Sequence, residues 1–167
     1  MLLPLLIPAL LMQAPTSPIP NSLEIAPGVF VLKGAPTAET FASLKQAGIQ
    51  LVIDVRRDGE PGIHHGAEGN QLQMLGIAYY RYAVTPAPPK ADFDGVRAIL
   101  QEHRGTKILI HCGDGNRASA LVCSWLILDR NVPPAKAMAL AHQGGLRRAD
   151  TEEALKHTLA AHGRALS

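Results

Sequence analysis

Apolar positions along this chain follow two rhythms. Short runs rich in β-branched and aliphatic residues, "GVFVLKG" (28–34), "IQLVIDV" (49–55), "IAYYRYAV" (77–84) and "KILIH" (107–111), predict strands. "IQLVIDV" is nearly continuous in its apolar residues, the pattern of a strand buried on both faces. Between these runs the spacing changes to the helical period. "PTAETFASLKQAG" (36–48) puts Phe41, Leu44 and Ala47 on one face, with Thr37 as N-cap and Gly48 as stop. "EGNQLQMLG" (68–76) predicts a short helix, and "ADFDGVRAILQEH" (91–103) turns Phe93, Val96, Ile99 and Leu100 inward. Further helices are predicted at about 117–130, 134–143 and 150–162. Polar, Gly/Pro-rich segments at 56–70 and 85–90 read as loops, and no internal repeat is visible.

Strands alternating with helices predict an α/β fold: a mostly parallel central sheet of four to five strands flanked by helices. In such sheets ligands sit beyond the carboxyl ends of strands. "HCGDGNRAS" (111–119) begins at such an end.

A chain of 167 residues fits one domain with a full core. Its 47% hydrophobic content argues against disorder. A net charge of +2, a single Trp and few other aromatics exclude nucleic acid as an expected partner. The start, "MLLPLLIPALLMQAP", is too short to span a bilayer comfortably and resembles the hydrophobic region of a secretion signal. The domain expectation is therefore a signal-like segment plus Pro-rich linker over 1–22 and one domain over 23–167. The mature chain is expected to carry no membrane span. It would be periplasmic or secreted if the segment acts as a signal, and cytoplasmic otherwise.

The chemistry centres on Cys112. A thiol becomes a good nucleophile once ionised, and a helix N-terminus favours the ionised form. Gly113 and Gly115 permit tight curvature, and a helix starts near Arg117. Inward N–H groups over Gly113, Asp114, Gly115, Asn116 and Ala118 would form a nest for an anion. Arg117 would add two planar donors, and Ser119 a hydroxyl for the sulfur. The alternative is a buried cysteine before an ordinary glycine turn. The ordered set His-Cys-x-x-Gly-x-Arg, between an apolar strand and an apolar helix, favours the anion loop. His111 has two readings, orienting the loop from behind or simply ending the strand. Cys123 reads as a small buried helix residue. No Cys/His spacing marks a structural zinc site, and adjacent His64 and His65 are not expected to hold a metal. Arg56 and Arg57 follow a buried strand, so both are expected at the same rim as Cys112, either attracting an anionic substrate or as solvated or acid-paired arginines. Arg147 and Arg148 read as surface charges.

"IAPGVFVLKGAPTAETFASLKQAGIQLVIDVRRDGE", "LGIAYYRYAV" and "HCGDGNRAS" together resemble the cysteine-based, dual-specificity-type protein phosphatases. The chain is especially similar to the bacterial phosphatase-like domain also found fused to β-lactamase-fold hydrolases. The resemblance covers roughly residues 24 to 146. It implies a protein tyrosine phosphatase-like fold. It implies Cys112 as the nucleophile that forms a phosphocysteine, Arg117 on the phosphate oxygens, and Ser119 helping to expel the thiolate. The implied substrate is a phosphorylated protein or a small anionic phosphoester, with no cofactor.

Two departures stand out. The usual loop has five residues between Cys and Arg, whereas this chain has four, Gly113 to Asn116. One fewer residue removes up to about 3.8 Å of Cα path and one N–H donor. The shorter spacing is similar to rhodanese-type sulfurtransferases, whose cysteine carries a persulfide, although the phosphatase-like domains fused to hydrolases use it too. A sulfurtransferase and a non-catalytic anion-binding module therefore stand as alternatives. Second, Thr85 stands where that family places an acid after the strand. Asp92 and Asp94 follow at a helix start, as caps or as the general acid.

Overall fold

The computed structural model describes residues 17–166. The signal-like segment lies outside the described residues. Five strands form one sheet: β1 (Ser22–Ala26), β2 (Val29–Leu32), β3 (Leu51–Asp54), β4 (Ala78–Arg81) and β5 (Ile108–His111). Their order across the sheet is β1-β2-β5-β3-β4. β5 lies at the centre, parallel to both β2 and β3, and β4 is parallel to β3. β1 pairs antiparallel with β2 through a bulge between Glu24 and Ala26. Among the described residues the helices are α1 (Ala38–Ala47), α2 (His65–Met74), α3 (Lys90–Glu102), α4 (Asn116–Leu128), α5 (Pro134–Gly144) and α6 (Ala149–Ala161). The expected α/β architecture is the one found.

The side-chain period of two divides the core. Val31, Ile53 and Ile110 face one side, where they join Phe93 of α3, Leu121 of α4, Ala141 of α5 and Leu155 of α6. Phe30, Val52 and Leu109 face the other, against Phe41 and Leu44 of α1 and Leu72 of α2. α4 is buried from Asn116 through Ile127, so it is an interior helix. α1 begins as its sequence requires: Thr37 and Thr40 form a reciprocal capping box, and Gly48 closes the helix at φ 77°.

Two details differ from expectation. The ordered fold begins before residue 23: Ile19, placed in the linker by the sequence pattern, is fully buried with Phe41 and Leu72. A further strand, β1, precedes the first expected one. Its five residues alternate in burial only partly and follow a Pro-rich stretch, so their pattern is faint.

One position joins sheet to helix. Gly115 lies at φ 82° and is the N-cap of α4, so the chain turns from β5 into α4 within four residues. A Cβ there would stand 2.6 Å from the Gly144 carbonyl oxygen and 2.9 Å from Lys33 Cα. Both are backbone atoms with little freedom to move. Gly115→Ala should therefore cost more than about 2 kcal/mol, because backbone strain and steric overlap act together. Gly59→Ala, at φ 81° with nothing within 4 Å, should cost about 1 kcal/mol from strain alone. Urea denaturation of the two variants checks the difference.

Candidate active site

Cys112 follows the last residue of β5 and is fully buried. Its side chain stands at the foot of α4. The first α-helical bond of that helix runs from Ser119 N–H to the Gly115 carbonyl at 2.9 Å. The N–H groups of Arg117 and Ala118 precede it and so have no acceptor within the helix. The Asn116 N–H donates to Asp114 Oδ1 at 3.1 Å, and the Cys112 thiol lies 3.5 Å from the same oxygen. The loop aspartate thus folds back over its own turn, as Asp does in tight turns. Its other oxygen accepts from Arg147 at 2.8 Å.

Arg117 is held as a fork. NH1 and NH2 donate to the two oxygens of Glu60 at 2.6 and 2.7 Å, and NH1 also donates to the Val84 carbonyl at 2.8 Å. Burial opposes the charge on Arg117, but Glu60 and the nearby Cys112 sulfur strengthen its hold on the proton. The hydrogen bond from Arg117 pulls the Glu60 carboxyl down to about 2. Glu60 is therefore ionised throughout the neutral range and has no proton to donate. A cleft of about 320 Å³ opens over these groups, lined by Arg57, Glu60, Pro86, Gly113, Asp114, Asn116, Arg117 and Arg148.

The expected residues divide sharply. Gly113, Asp114 and Arg117 line this cleft, whereas Cys112 does not: it is fully buried beneath the loop, its sulfur 3.5 Å from Asp114 Oδ1. Asn116 lines the cleft too, but its side chain is committed elsewhere. Its amide donates to Thr151 at 2.6 Å, and its carbonyl accepts from the N–H groups of Arg147 and Arg148 at 2.9 and 3.0 Å. That bond set ties the loop to the segment between α5 and α6. Gly115 packs against the backbone of Gly144, and Ala118 is fully buried in the core. Neither lines the cleft.

Ser119 makes no hydrogen bond to the sulfur. Its hydroxyl has no hydrogen-bond partner and faces Gly144, where a Cβ would stand 2.5 Å from Oγ. The small step from Arg117 to Ser119 on a helix carries the side chain round to the α5 contact.

Arg56 requires a correction. It is buried, not at the rim. Its Nε and NH2 donate to Asp54 at 2.8 and 2.7 Å, and NH2 also meets Glu68. Asp54 accepts as well from Tyr79 OH at 2.8 Å and lies 2.9 Å from His65 Nδ1. Burial alone would raise the Asp54 carboxyl. The Arg56 hydrogen bond, the His111 ring and the other donors outweigh it and hold Asp54 well below the usual carboxylate range.

His111 sits in this network behind the loop. Its Nε2–H donates to Glu68 at 2.8 Å, while Nδ1 has no partner. Its side chain is tied to Glu68 of α2 rather than to the loop. Asp54, Glu68 and His111 offer three ligand atoms within 4.8 Å of one another. The Arg56 guanidinium already lies against both carboxylates, so the cluster is an ion network with its cation built in.

Asp92 stands in the first turn of α3, outside the cleft lining, where Pro86 forms that wall. Burial raises its carboxyl. Asp94 is engaged with Lys90, Arg97 and His162. Cys123 is buried inside α4, and desolvation pushes its thiol up to about 12, which suits a packing residue. Arg147 and Arg148, expected as surface charges, flank the loop. Glu60 and Glu68 carried no sequence signal. Each meets its partner only through the fold, 57 and 43 residues away.

Residues 18–160 match the family model described as DSP-PTPase phosphatase fused to NAD+ kinase. A curated relative, the beta-lactamase hydrolase-like protein of Xylella fastidiosa (strain Temecula1), is 25% identical over 117 residues. The match takes in 68% of this chain and 27% of that relative, so the chain spans well under half the relative's length. A DUF442 phosphatase-type structure from Shewanella putrefaciens CN-32 superposes with a TM-score of 0.71 at 25% identity, covering 89% of this chain and 95% of that one. TpbA of P. aeruginosa, solved with phosphotyrosine, shares the fold with a TM-score of 0.65 at 18% identity, covering 87% and 85%.

Removing the central cation of the buried network would strand two carboxylates. Arg56→Ala should lower stability by about 3–5 kcal/mol, the usual result of breaking a buried ion pair from one side. Chemical denaturation at neutral pH measures it.

Proposed function

The chain belongs to the family of dual-specificity-type phosphatase domains described as fused to NAD+ kinase, and from that premise we propose that it is a cysteine-dependent phosphatase acting on phosphomonoesters through Cys112. The observation that supports this reading is that the buried Cys112 sulfur sits against the loop at the α4 N-terminus, beside a pre-oriented Arg117 that lines the cleft above it.

The proposed steps follow from that arrangement. Arg117 has five N–H donors. Three of them are fixed on Glu60 and Val84, leaving the Nε–H and one NH2 hydrogen for oxygens of a bound phosphoryl group. The Cys112 thiolate attacks phosphorus, the S–P bond forms, and the P–O bond to the leaving group breaks. The oxygen departs with the bonding electron pair. Water then attacks the phosphocysteine, releasing inorganic phosphate and restoring the thiolate. Throughout, the N–H groups at the foot of α4 and the Arg117 fork stabilise the equatorial oxygens.

The leaving oxygen takes its proton from outside this set. Glu60 is ionised and bound to Arg117, and Asp92 lies off the cleft. Leaving groups that depart as stable anions are therefore favoured. A positioned general acid contributes about 10²–10⁴-fold to such reactions. We expect kcat/KM for p-nitrophenyl phosphate to exceed that for glycerol phosphate by about 100-fold or more.

Cys112→Ser should reduce aryl phosphate turnover by about a thousandfold or more while the protein stays folded. Steady-state assay of both proteins against p-nitrophenyl phosphate checks it. Undiminished turnover in Cys112→Ser would overturn the reading. So would thiosulfate-dependent thiocyanate formation by a protein that leaves the aryl phosphate intact.

A further inference from the structure

The cleft surface is polar and apolar in nearly equal parts, but its side chains are mostly polar. Of its eight lining residues, Pro86 alone carries an apolar side chain, and none is aromatic. A phosphorylated aromatic ring would find no aromatic side chain to stack on and only Pro86 as an apolar side chain to bury against, whereas ligand pockets that hold apolar groups are lined mostly by hydrophobic and aromatic side chains. At about 320 Å³ the cleft is also larger than one phosphoryl group needs.

Charge pairing distinguishes the cations around it. Arg117 is engaged with Glu60, Arg147 with Asp114, and Arg148 with Asp150. Arg57 differs. Its side chain is about half exposed at the mouth, and its Nε reaches Glu60 only at 3.4 Å, on an oxygen already held by Arg117 at 2.6 Å. Among the described residues its NH1 and NH2 groups meet no acceptor. The Arg57 backbone N–H also donates to Glu60, at 2.9 Å. One carboxylate therefore fixes both the base of Arg57 and the fork of Arg117.

Resting on the phosphatase reading, we propose that the substrate is a compact, polar phosphoester carrying a second phosphate, and that Arg57 is the residue that recognises it. A guanidinium end with two free N–H₂ groups matches the geometry of a phosphate edge. The first phosphate sits over Cys112 and Arg117, and the second lies toward the mouth of the cleft.

The test uses the simplest ligand pair with this difference. Inorganic phosphate and pyrophosphate are titrated calorimetrically into the Cys112→Ser protein. Pyrophosphate should bind about tenfold more tightly, the scale of one added charge-assisted contact. Adding Arg57→Ala, or Arg57→Gln as a second variant, should remove that advantage and leave the affinity for phosphate within about twofold. Thermal melting of each variant confirms that it is folded. Equal affinity for the two anions overturns the proposal, as does a preference that survives loss of Arg57, or tighter binding of phosphotyrosine than of pyrophosphate. The phosphatase reading is judged separately, by aryl phosphate turnover in the protein with Cys112 intact. Turnover with no pyrophosphate preference sinks this inference alone.

Discussion

The turn at Gly115 is the constraint on which the site depends. The chain leaves the central strand and enters an interior helix within four residues, which requires a left-handed residue packed directly on the backbone of Gly144 and Lys33. That turn brings the α4 N-terminus beside Cys112 and makes Arg117 the second residue of the helix. A longer loop would have room for one more amide. This one compensates by fastening its surroundings. Asn116 ties it to the α5–α6 segment, Asp114 is tied to Arg147, and Arg117 is tied to the loop after β3.

Two adjacent arginines show how local geometry separates structure from recognition. Arg56 and Arg57 leave the same strand end. Asp54, two residues back, accepts both the backbone N–H and the side chain of Arg56, and so draws that side chain into the interior. Glu68 and His111, the residue before Cys112, complete the buried set. With Arg56 committed inward, Arg57 faces the cleft. A buried arginine between carboxylates holds the strand end and α2 together, and it is unavailable to a ligand.

Most of the fold was legible because apolar period and glycine placement agree. "IQLVIDV" and "KILIH" read as buried strands and are β3 and β5, each within a few residues. Thr37 and Gly48 bound α1 as their chemistry predicts. The Cys112–Arg117 loop was equally visible, since it is local in sequence. What the chain concealed is non-local. Glu60 lies in a glycine-rich loop with no periodic signal, and its role exists only once β3 and β5 are paired. The inward turn of Arg56 depends on Glu68, contributed by α2. The nearness of Ser119 Oγ to Gly144 is likewise non-local, since it depends on how α5 packs on α4.

The shortened loop and the fixed arginine are two sides of one solution. An oxyanion over Cys112 needs donors on several sides, and a loop with one residue fewer presents fewer amides. A freely rotating arginine would have to lose side-chain entropy on binding, whereas Glu60 and the Val84 carbonyl hold Arg117 in one orientation beforehand. The Glu60 carboxylate does this while itself ionised, with its carboxyl at about 2, so the fork stays in place across the neutral range. A carboxylate so close to the proposed phosphate site weakens anion binding electrostatically. The proposed binding mode is sound because Glu60 occupies one end of the guanidinium and leaves the Nε–H side free, and because its charge is offset by the arginine it orients.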